Sequence, residues 1–176
     1  MTTEMEVCIR DGATKKCGVI SGLTTVVNPI SFAWFVMLKT PYIYLGLDGA
    51  QAQDFAREQG VEFGELEYFQ TETRLQRFRM EKAKELESQE TLPAKSGPGK
   101  VASDKLERAL IFDNDFVGEK VGCVAVDELG NCAALASMGR LTNKMVGQIG
   151  NTPNVVAGTY ATMCAVLETG IGEYII

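Results

Sequence analysis

The side chains available for nucleophilic and acid–base chemistry are limited in type, because this 176-residue sequence contains no histidine. Every Ser-His and Cys-His catalytic arrangement is therefore excluded. The cysteines stand at Cys8, Cys17, Cys123, Cys132 and Cys164. None of them forms a Cys-x-x-Cys pair, so their spacing predicts neither a zinc site nor a redox motif. We interpret them as small buried residues of a protein from a reducing compartment.

Runs of small residues in the last third of the chain follow a recognisable order. They are Val121-Gly-Cys-Val-Ala-Val-Asp127, Gly130-Asn131, Asn143-Lys144, Gly147, Ile149-Gly150, Pro153, Ala157-Gly-Thr-Tyr-Ala161, Thr169-Gly170 and Gly172-Glu173. These runs resemble the motifs T-V-G-x-V-A-x-D-x-x-G-N, N-K-x-x-G-R-x-G-D-S-P, G-A-G-x-Y-A and T-G-x-G-E in the β-subunit of plant-type asparaginases.

The first part of the chain resembles the α-subunit of the same family. The matching residues are Glu4-Met5-Glu6, Asp11-Gly12, Asn28-Pro29-Ile30, Gly49-Ala50, Phe55-Ala56 and Glu67-Tyr68-Phe69. The match covers 1–75 and 119–176, with a linker between. The chain is thus identified as a truncated and divergent member of the plant-type L-asparaginases, or isoaspartyl (β-aspartyl) peptidases, which are N-terminal-nucleophile hydrolases.

The resemblance implies a threonine-type amidohydrolase that acts on L-asparagine and isoaspartyl dipeptides without a cofactor or a metal. A family precursor cleaves itself before a threonine, whose hydroxyl becomes the nucleophile and whose freed α-amine is the base. Lys120 stands at that position here. A lysine offers no hydroxyl or thiol for self-cleavage. We therefore expect this copy to lack both nucleophile and base and to be inactive.

Three further family positions are altered. Met138 stands where a second threonine orients the nucleophile, and methionine donates no hydrogen bond. Gln148 replaces an arginine that binds the substrate α-carboxylate, and Asn151 replaces an aspartate that holds the α-ammonium. Because an arginine fork binds a carboxylate bidentately and glutamine does not, we expect weak substrate binding. A neutral ligand at these two amides stays open as an alternative.

Three other positions match the family, and one cysteine was considered as a substitute nucleophile. The resemblance assigns Thr169 and Gly170 to an oxyanion hole, which stabilises charge on a carbonyl oxygen, and Gly172 to a retained substrate-binding position. A glycine-rich strand end kept by inheritance explains these residues equally well. Cys123 lies three residues beyond the nucleophile position inside an apolar strand, and we interpret it as a structural thiol.

The elements that must carry these residues follow from the apolar pattern. It predicts strands at 4–10 and 17–20, a buried strand at 42–47, and a hairpin of 121–126 with 132–136 around the turn residues Asp127-Glu-Leu-Gly130-Asn131. It predicts a helix at 30–39, which starts at Asn28-Pro29 and is buried on nearly all faces. Two further helices are predicted, at 49–59 with Asp48 as cap and Gly60 at its end, and at 71–88. The segment 89–103 is rich in Pro, Gly, Ser and Lys, which is typical of a flexible linker. A last strand is expected near 164–167.

These elements predict an α+β fold. The resemblance implies part of an αββα four-layer sandwich, with the family's N-terminal and C-terminal elements missing. We divide the chain into an α-subunit-like region at 1–88, a linker and pre-cleavage segment at 89–118, and the start of a β-subunit-like region at 119–176.

The composition limits the classes of molecule that the protein is expected to bind. The net charge of −6 comes with no basic cluster, which argues against nucleic acid. No apolar stretch approaches the roughly 20 residues of a membrane span, and the first residues lack signal-peptide features, so we expect a cytoplasmic protein. The resemblance implies a small-molecule substrate as partner, which we expect this copy not to bind. It also implies a second subunit, in a homodimer or in a dimer with a paralogue. Alternative interpretations are a non-catalytic partner subunit of an intact paralogue and a non-functional gene fragment.

Overall fold

A computed structural model of the chain describes residues 3–46, 50–90, 120–139, 145, 148–155, 158–162 and 164–167. Helices and strands both occur along this part, which confirms the predicted α+β class. The elements are β1 (Met5–Asp11), β2 (Cys17–Leu23), α1 (Pro29–Lys39), β3 (Tyr44–Gly46), α2 (Ala50–Glu58), a 3-10 turn (Leu66–Phe69), α3 (Glu72–Glu90), β4 (Lys120–Val126), β5 (Cys132–Met138), β6 (Thr159–Ala161) and β7 (Ala165–Leu167).

A five-stranded sheet in the order β3-β2-β1-β5-β4 forms the centre of the described structure. The β1–β2 and β4–β5 hairpins are antiparallel, and β5 also pairs antiparallel with β1. The β1–β5 pairing joins the first part of the chain to the last. Because successive side chains of a strand point to opposite faces, this register decides which residues of the two parts meet.

Helix α1 covers one face of this sheet. Its start follows the predicted chemistry: Asn28 caps the helix, its Oδ1 accepting a bond from the Ser31 N–H at 3.0 Å, and Pro29 takes the first turn. The buried residues of α1 are Phe32, Ala33, Val36 and Met37. The first three pack with Val7, Ile20, Leu23, Val26, Ala52 and Ala56 into the main apolar core.

Two expectations about burial were wrong. Trp34 and Leu38 on the outer side of α1 are each 45% exposed, so the helix is buried on one face rather than nearly all round. The strand predicted as buried at 42–47 is the short β3, where Tyr44 is 59% exposed. An apolar run does not reveal that its strand will lie at the edge of a sheet with a neighbour on one side alone.

The β6–β7 hairpin lies against the other face of the sheet. Arg10 of β1 fixes it there, because its Nε donates to the carbonyl oxygen of Ala161 at 2.8 Å and its guanidinium lies 4.8 Å from the ring centre of Tyr160. In the part of the chain that the structure describes, a helix layer, the main sheet and a small second sheet follow one another.

The Asp127–Asn131 loop of the β4–β5 hairpin shows why one matching run contains aspartate, glycine and asparagine. The Asp127 carboxylate accepts bonds from the backbone N–H groups of Leu129 and Asn131 and from the Asn131 side chain at 2.8–2.9 Å. The hydrogen bond from the Asn131 side chain is the largest of the effects that lower the pKa of Asp127. Gly130 adopts a φ of +82°, which favours glycine. These residues shape the turn.

Outside the described residues lie the predicted cap Asp48, nearly all of the linker at 89–103, and the proposed pre-cleavage segment. The helices predicted at 49–59 and 71–88 are confirmed as α2 and α3, with shifts of one or two residues at their ends.

Candidate active site

Lys120, at the position implied for the nucleophile, is the first residue of β4. It lies opposite Met138 of β5, and Met138 in turn lies opposite Glu6 of β1. The three side chains therefore form a row across one face of the sheet, on the side covered by the β6–β7 hairpin. All three are buried, with exposed fractions of 8% for Lys120, 5% for Met138 and 0% for Glu6.

The Lys120 ammonium reaches the segment that precedes β6. Its Nζ donates to the carbonyl oxygen of Gly158 at 3.5 Å. The backbone at Asn151 lies very close to Gly158, since a Cβ on Gly158 would lie 2.7 Å from the carbonyl oxygen of Asn151. Gly158 thus accepts the Lys120 hydrogen bond and packs against the Asn151 backbone, and this tight approach explains the glycine.

The segment 148–155 closes the site over Glu6 and Met138. The Gly150 N–H donates to both oxygens of the Glu6 carboxylate, at 3.3 and 3.2 Å. The Thr152 hydroxyl donates to the Met138 sulfur at 3.3 Å. Met138 therefore contributes a weak acceptor, its thioether, at the position where the resemblance implies the hydroxyl of a threonine.

Gln148 and Asn151, which the resemblance implies as altered substrate-binding positions, lie in this same segment. Gln148 is half-buried and its backbone N–H donates to the Met145 carbonyl oxygen at 3.1 Å. Asn151 is 9% exposed, and its amide nitrogen and oxygen find no hydrogen-bond partner among the described residues. The Thr159 hydroxyl is likewise buried without a partner in that part of the chain. Buried polar atoms of this kind are uncommon in folded proteins.

Cys8 is the nearest thiol to the row, and it cannot act as a nucleophile near neutral pH. It sits on the same face as Glu6, two residues along β1, opposite Ala136 of β5. Burial, followed by the neighbouring Cys17, raises its pKa to about 12, while Arg10 and Lys120 act in the opposite direction. A thiol with that pKa is almost fully protonated at pH 7, and the thiolate is the reactive form.

Cys123 is confirmed as a residue of β4 but is exposed, which corrects the expectation of buried cysteines. It is an odd number of residues from Lys120, so its side chain points to the opposite face of the sheet. The thiol therefore has no access to the Lys120 row. Cys164 is also exposed and Cys132 half-buried, which leaves Cys8 and Cys17 as the buried pair.

We expect this difference to appear in alkylation. Iodoacetamide at pH 8 should modify Cys123 and Cys164 of the native chain within minutes and leave Cys8 unmodified, because burial protects the thiol and its pKa of about 12 keeps it protonated. Peptide mass spectrometry after a short pulse measures the modified fraction of each cysteine. A denatured sample, in which all five react, is the control. Rapid labelling of Cys8 in folded protein would contradict the structure.

The structure brings Lys120, Met138 and Asn151 together, with Gln148 three residues before Asn151. Thr169, Gly170 and Gly172, predicted as oxyanion hole and substrate-binding position, lie outside the described residues. Sequence reasoning gave Glu6 no role beyond its place in a matching run. Its signal was a carboxylate placed between the apolar residues Met5 and Val7 of a predicted strand. Among the described residues, no group of three or more His, Cys, Asp or Glu side chains could hold a metal ion.

A family model described as "Asparaginase" matches residues 1–176. The chain belongs to the plant-type asparaginase family. It is 44% identical over 178 residues to the "Probable isoaspartyl peptidase/L-asparaginase 2" of Arabidopsis thaliana, an alignment that covers 99% of this chain and 54% of that protein. The resemblance drawn from the motifs is thereby confirmed.

Relatives in other kingdoms agree with this assignment. The "Isoaspartyl peptidase" of Escherichia coli (strain K12) is 34% identical over 177 residues, or 99% of this chain and 50% of that protein. The "Isoaspartyl peptidase/L-asparaginase" of Mus musculus is 33% identical over 175 residues, or 98% of this chain and 46% of that protein. The chain thus spans about half the length of the curated relatives it matches.

None of the helices in the described ranges is long and apolar enough to cross a membrane.

Proposed function

We propose that this chain is a catalytically inactive member of the asparaginase family, unable to hydrolyse L-asparagine or isoaspartyl dipeptides. The observation that carries the proposal is Lys120, a buried residue that begins β4 and has neither hydroxyl nor thiol. Deletion of a nucleophilic serine from a protease costs on the order of 10⁶ in kcat. We expect a loss of that size, because the free threonine amine that would serve as base is missing as well.

Substrate binding is the second part of the proposal. At Gln148 and Asn151, two neutral amides stand where the family resemblance implies an arginine and an aspartate for the substrate's charged groups. Removal of one partner of a buried, hydrogen-bonded charge pair costs roughly 2–5 kcal/mol. Two such losses would weaken binding of a zwitterion by about 10³ or more. Catalysis and binding would therefore fail independently of each other.

The finer architecture also belongs to this proposal. We infer that α1, the five-stranded sheet and the β6–β7 hairpin correspond to part of an αββα four-layer sandwich. The layer order of helix, sheet and second sheet supports this. We further propose the division into regions at 1–88, 89–118 and 119–176, and a cytoplasmic location.

The test is a hydrolysis assay on the 176-residue chain. Ammonia release from L-asparagine and aspartate release from a β-aspartyl dipeptide should stay at the level of the blank, with the Escherichia coli isoaspartyl peptidase as positive control. A contaminating enzyme is recognised by comparison with the Thr169→Ala variant. Turnover that is present in the unaltered chain and disappears in that variant would show the proposal to be wrong.

A second candidate, a non-catalytic subunit that pairs with an intact paralogue, is favoured by the outer edge of the sheet. Residues 121–126 of β4 are all exposed and carry no charge, and Val121 and Val126 are 67% and 68% exposed. Within the described ranges β4 pairs with β5 alone, and an uncharged strand edge without a second partner is a template for pairing with another chain. Co-expression with a tagged full-length paralogue tests this candidate. Co-purification in a fixed ratio would support it, and separation of the two chains would reject it.

A further inference from the structure

The outer edge of β4 presents backbone groups in a fixed alternation. In an antiparallel ladder, successive residues direct their N–H and C=O groups alternately towards and away from the neighbouring strand. The Asp127 N–H donates to the carbonyl oxygen of Asn131 at 3.0 Å, in the register that pairs β4 with β5. The odd-numbered residues of β4 therefore direct their backbone groups to β5. Those of Gly122, Val124 and Val126 point to the outer edge, where the described ranges contain no further strand.

The side chains along this edge do not protect it. Residues 121–126 are exposed on both faces of the sheet, and Val124, near the middle, is 48% exposed. Edge strands are usually protected by a charge, a proline or a β-bulge. Residues 121–126 contain neither a charge nor a proline, and they pair with β5 in a regular register. The edge therefore remains suited to pairing with another strand.

A second copy of β4 is complementary to this edge when it runs antiparallel. Both members of a hydrogen-bonded pair must direct their backbone groups outwards, so Gly122 of one copy pairs with Val124 of the other, and a shift by one residue is excluded. The register that overlaps the whole of Lys120–Val126 is centred on Cys123. It also places Val121 opposite Ala125 of the second copy. Each valine thus faces a smaller side chain, and no like charges face each other along 121–126.

We propose that two copies of this chain associate by antiparallel pairing of their β4 strands, centred on Cys123, so that two five-stranded sheets become one. The two Cys123 residues then form a non-hydrogen-bonded pair at the two-fold axis, with Cα atoms about 4.5 Å apart. This pairing follows from the exposed edge and not from the resemblance. It gives the edge a different occupant from the paralogue considered above. It is also independent of the proposed inactivity, because the β4 backbone forms the interface.

The first test is association in solution. The 176-residue chain should sediment as a species of twice 19.1 kDa at high concentration and dissociate on dilution. Val124→Pro removes an outward N–H that the ladder with β5 does not use, so the monomer should still fold. We expect its dissociation constant to rise at least about tenfold, because the two-fold symmetry removes the hydrogen bond twice. Val124→Thr keeps the N–H and the side-chain shape and is the matched control, which should dimerise like the unaltered chain.

The second test reads the register through Cys123. Cysteines opposite each other in a non-hydrogen-bonded pair lie within the Cα separation of a disulfide. Brief treatment with diamide, which accepts the electrons and protons that the thiols lose, should link the dimer through Cys123 of each copy, as identified by peptide mass spectrometry. Cys123→Ser should remain a dimer by sedimentation and give no link. Cys164→Ser, which removes another exposed thiol, should link like the unaltered chain.

A chain that stays monomeric at every concentration would overturn the proposal. So would a dimer that folded Val124→Pro leaves unchanged, or a dimer that diamide does not link through Cys123. If Val124→Pro does not fold by circular dichroism, sedimentation and cross-linking of the unaltered chain and of Cys123→Ser decide the matter. A monomer that co-purifies with the full-length paralogue supports the second candidate function and rejects this proposal. The hydrolysis assay judges the proposed inactivity separately.

Discussion

The purified chain, incubated for several days at neutral pH, should remain one polypeptide of 19.1 kDa. Self-cleavage in this family needs a side-chain hydroxyl or thiol to attack the carbonyl that precedes it, and Lys120 supplies neither. Neither nearby cysteine can replace it. Cys123 faces the opposite side of the sheet, and Cys8 is protonated near neutral pH and is therefore a poor nucleophile. Intact-mass spectrometry and N-terminal sequencing measure the result.

A single reversion is the matched control for this prediction. Lys120→Thr restores the hydroxyl but leaves Met138, Gln148 and Asn151 unchanged, so we expect neither cleavage nor hydrolysis to return. Met138 lies directly opposite residue 120 and provides a thioether where the resemblance implies a second hydroxyl. A new N-terminus at residue 120 in the unaltered chain would show that self-cleavage occurs, which contradicts the proposed inactivity.

Gly18→Ala should lower the free energy of unfolding by about 3 kcal/mol, at the upper end of what overpacking costs. A Cβ at Gly18 would lie 2.0 Å from the carbonyl oxygen of Ala33 and 2.9 Å from the Met37 backbone nitrogen. Both atoms belong to the backbone of α1, so no side-chain rotation relieves the contact. The helix would have to move away from β2 and from the core that it covers.

Gly46→Ala is the matched control, since it makes the same chemical change in β3, where a Cβ would meet nothing within 4 Å. We expect it to change the free energy of unfolding by less than about 0.5 kcal/mol. Urea denaturation followed by circular dichroism gives both values. A Gly18→Ala variant as stable as Gly46→Ala would show that α1 does not approach the sheet as closely as described.

Local signals in the sequence predicted the elements well where the cause is itself local. Asn28-Pro29 marked the start of α1, and the helix cap is formed as expected. The Asp127–Asn131 loop was recognised from its turn residues, and its hydrogen bonds close within five residues of chain. Gly60 marked the end of α2 and adopts a φ of +70°. Such features depend on neighbours in the sequence.

Burial was predicted less well, because it depends on elements distant in the chain. The apolar residues of α1 and β3 gave no sign that Trp34, Leu38 and Tyr44 would face outwards. The cysteines were treated as one buried class, yet Cys123 is exposed because β4 lies at the edge of the sheet. Strand order decides these cases, and no local pattern contains strand order.

The sequence by itself determined the family and the absence of histidine chemistry, and it predicted Lys120 at the position of the nucleophile, since each depends on residue identity along ordered motifs. The tertiary structure alone decided what surrounds that lysine. Glu6 lies 114 positions before Lys120 in the chain, and the pairing of β1 with β5 brings the two into one row. The free energy of a buried charge depends on the groups that surround it in space. Those groups are brought together when the sheet forms.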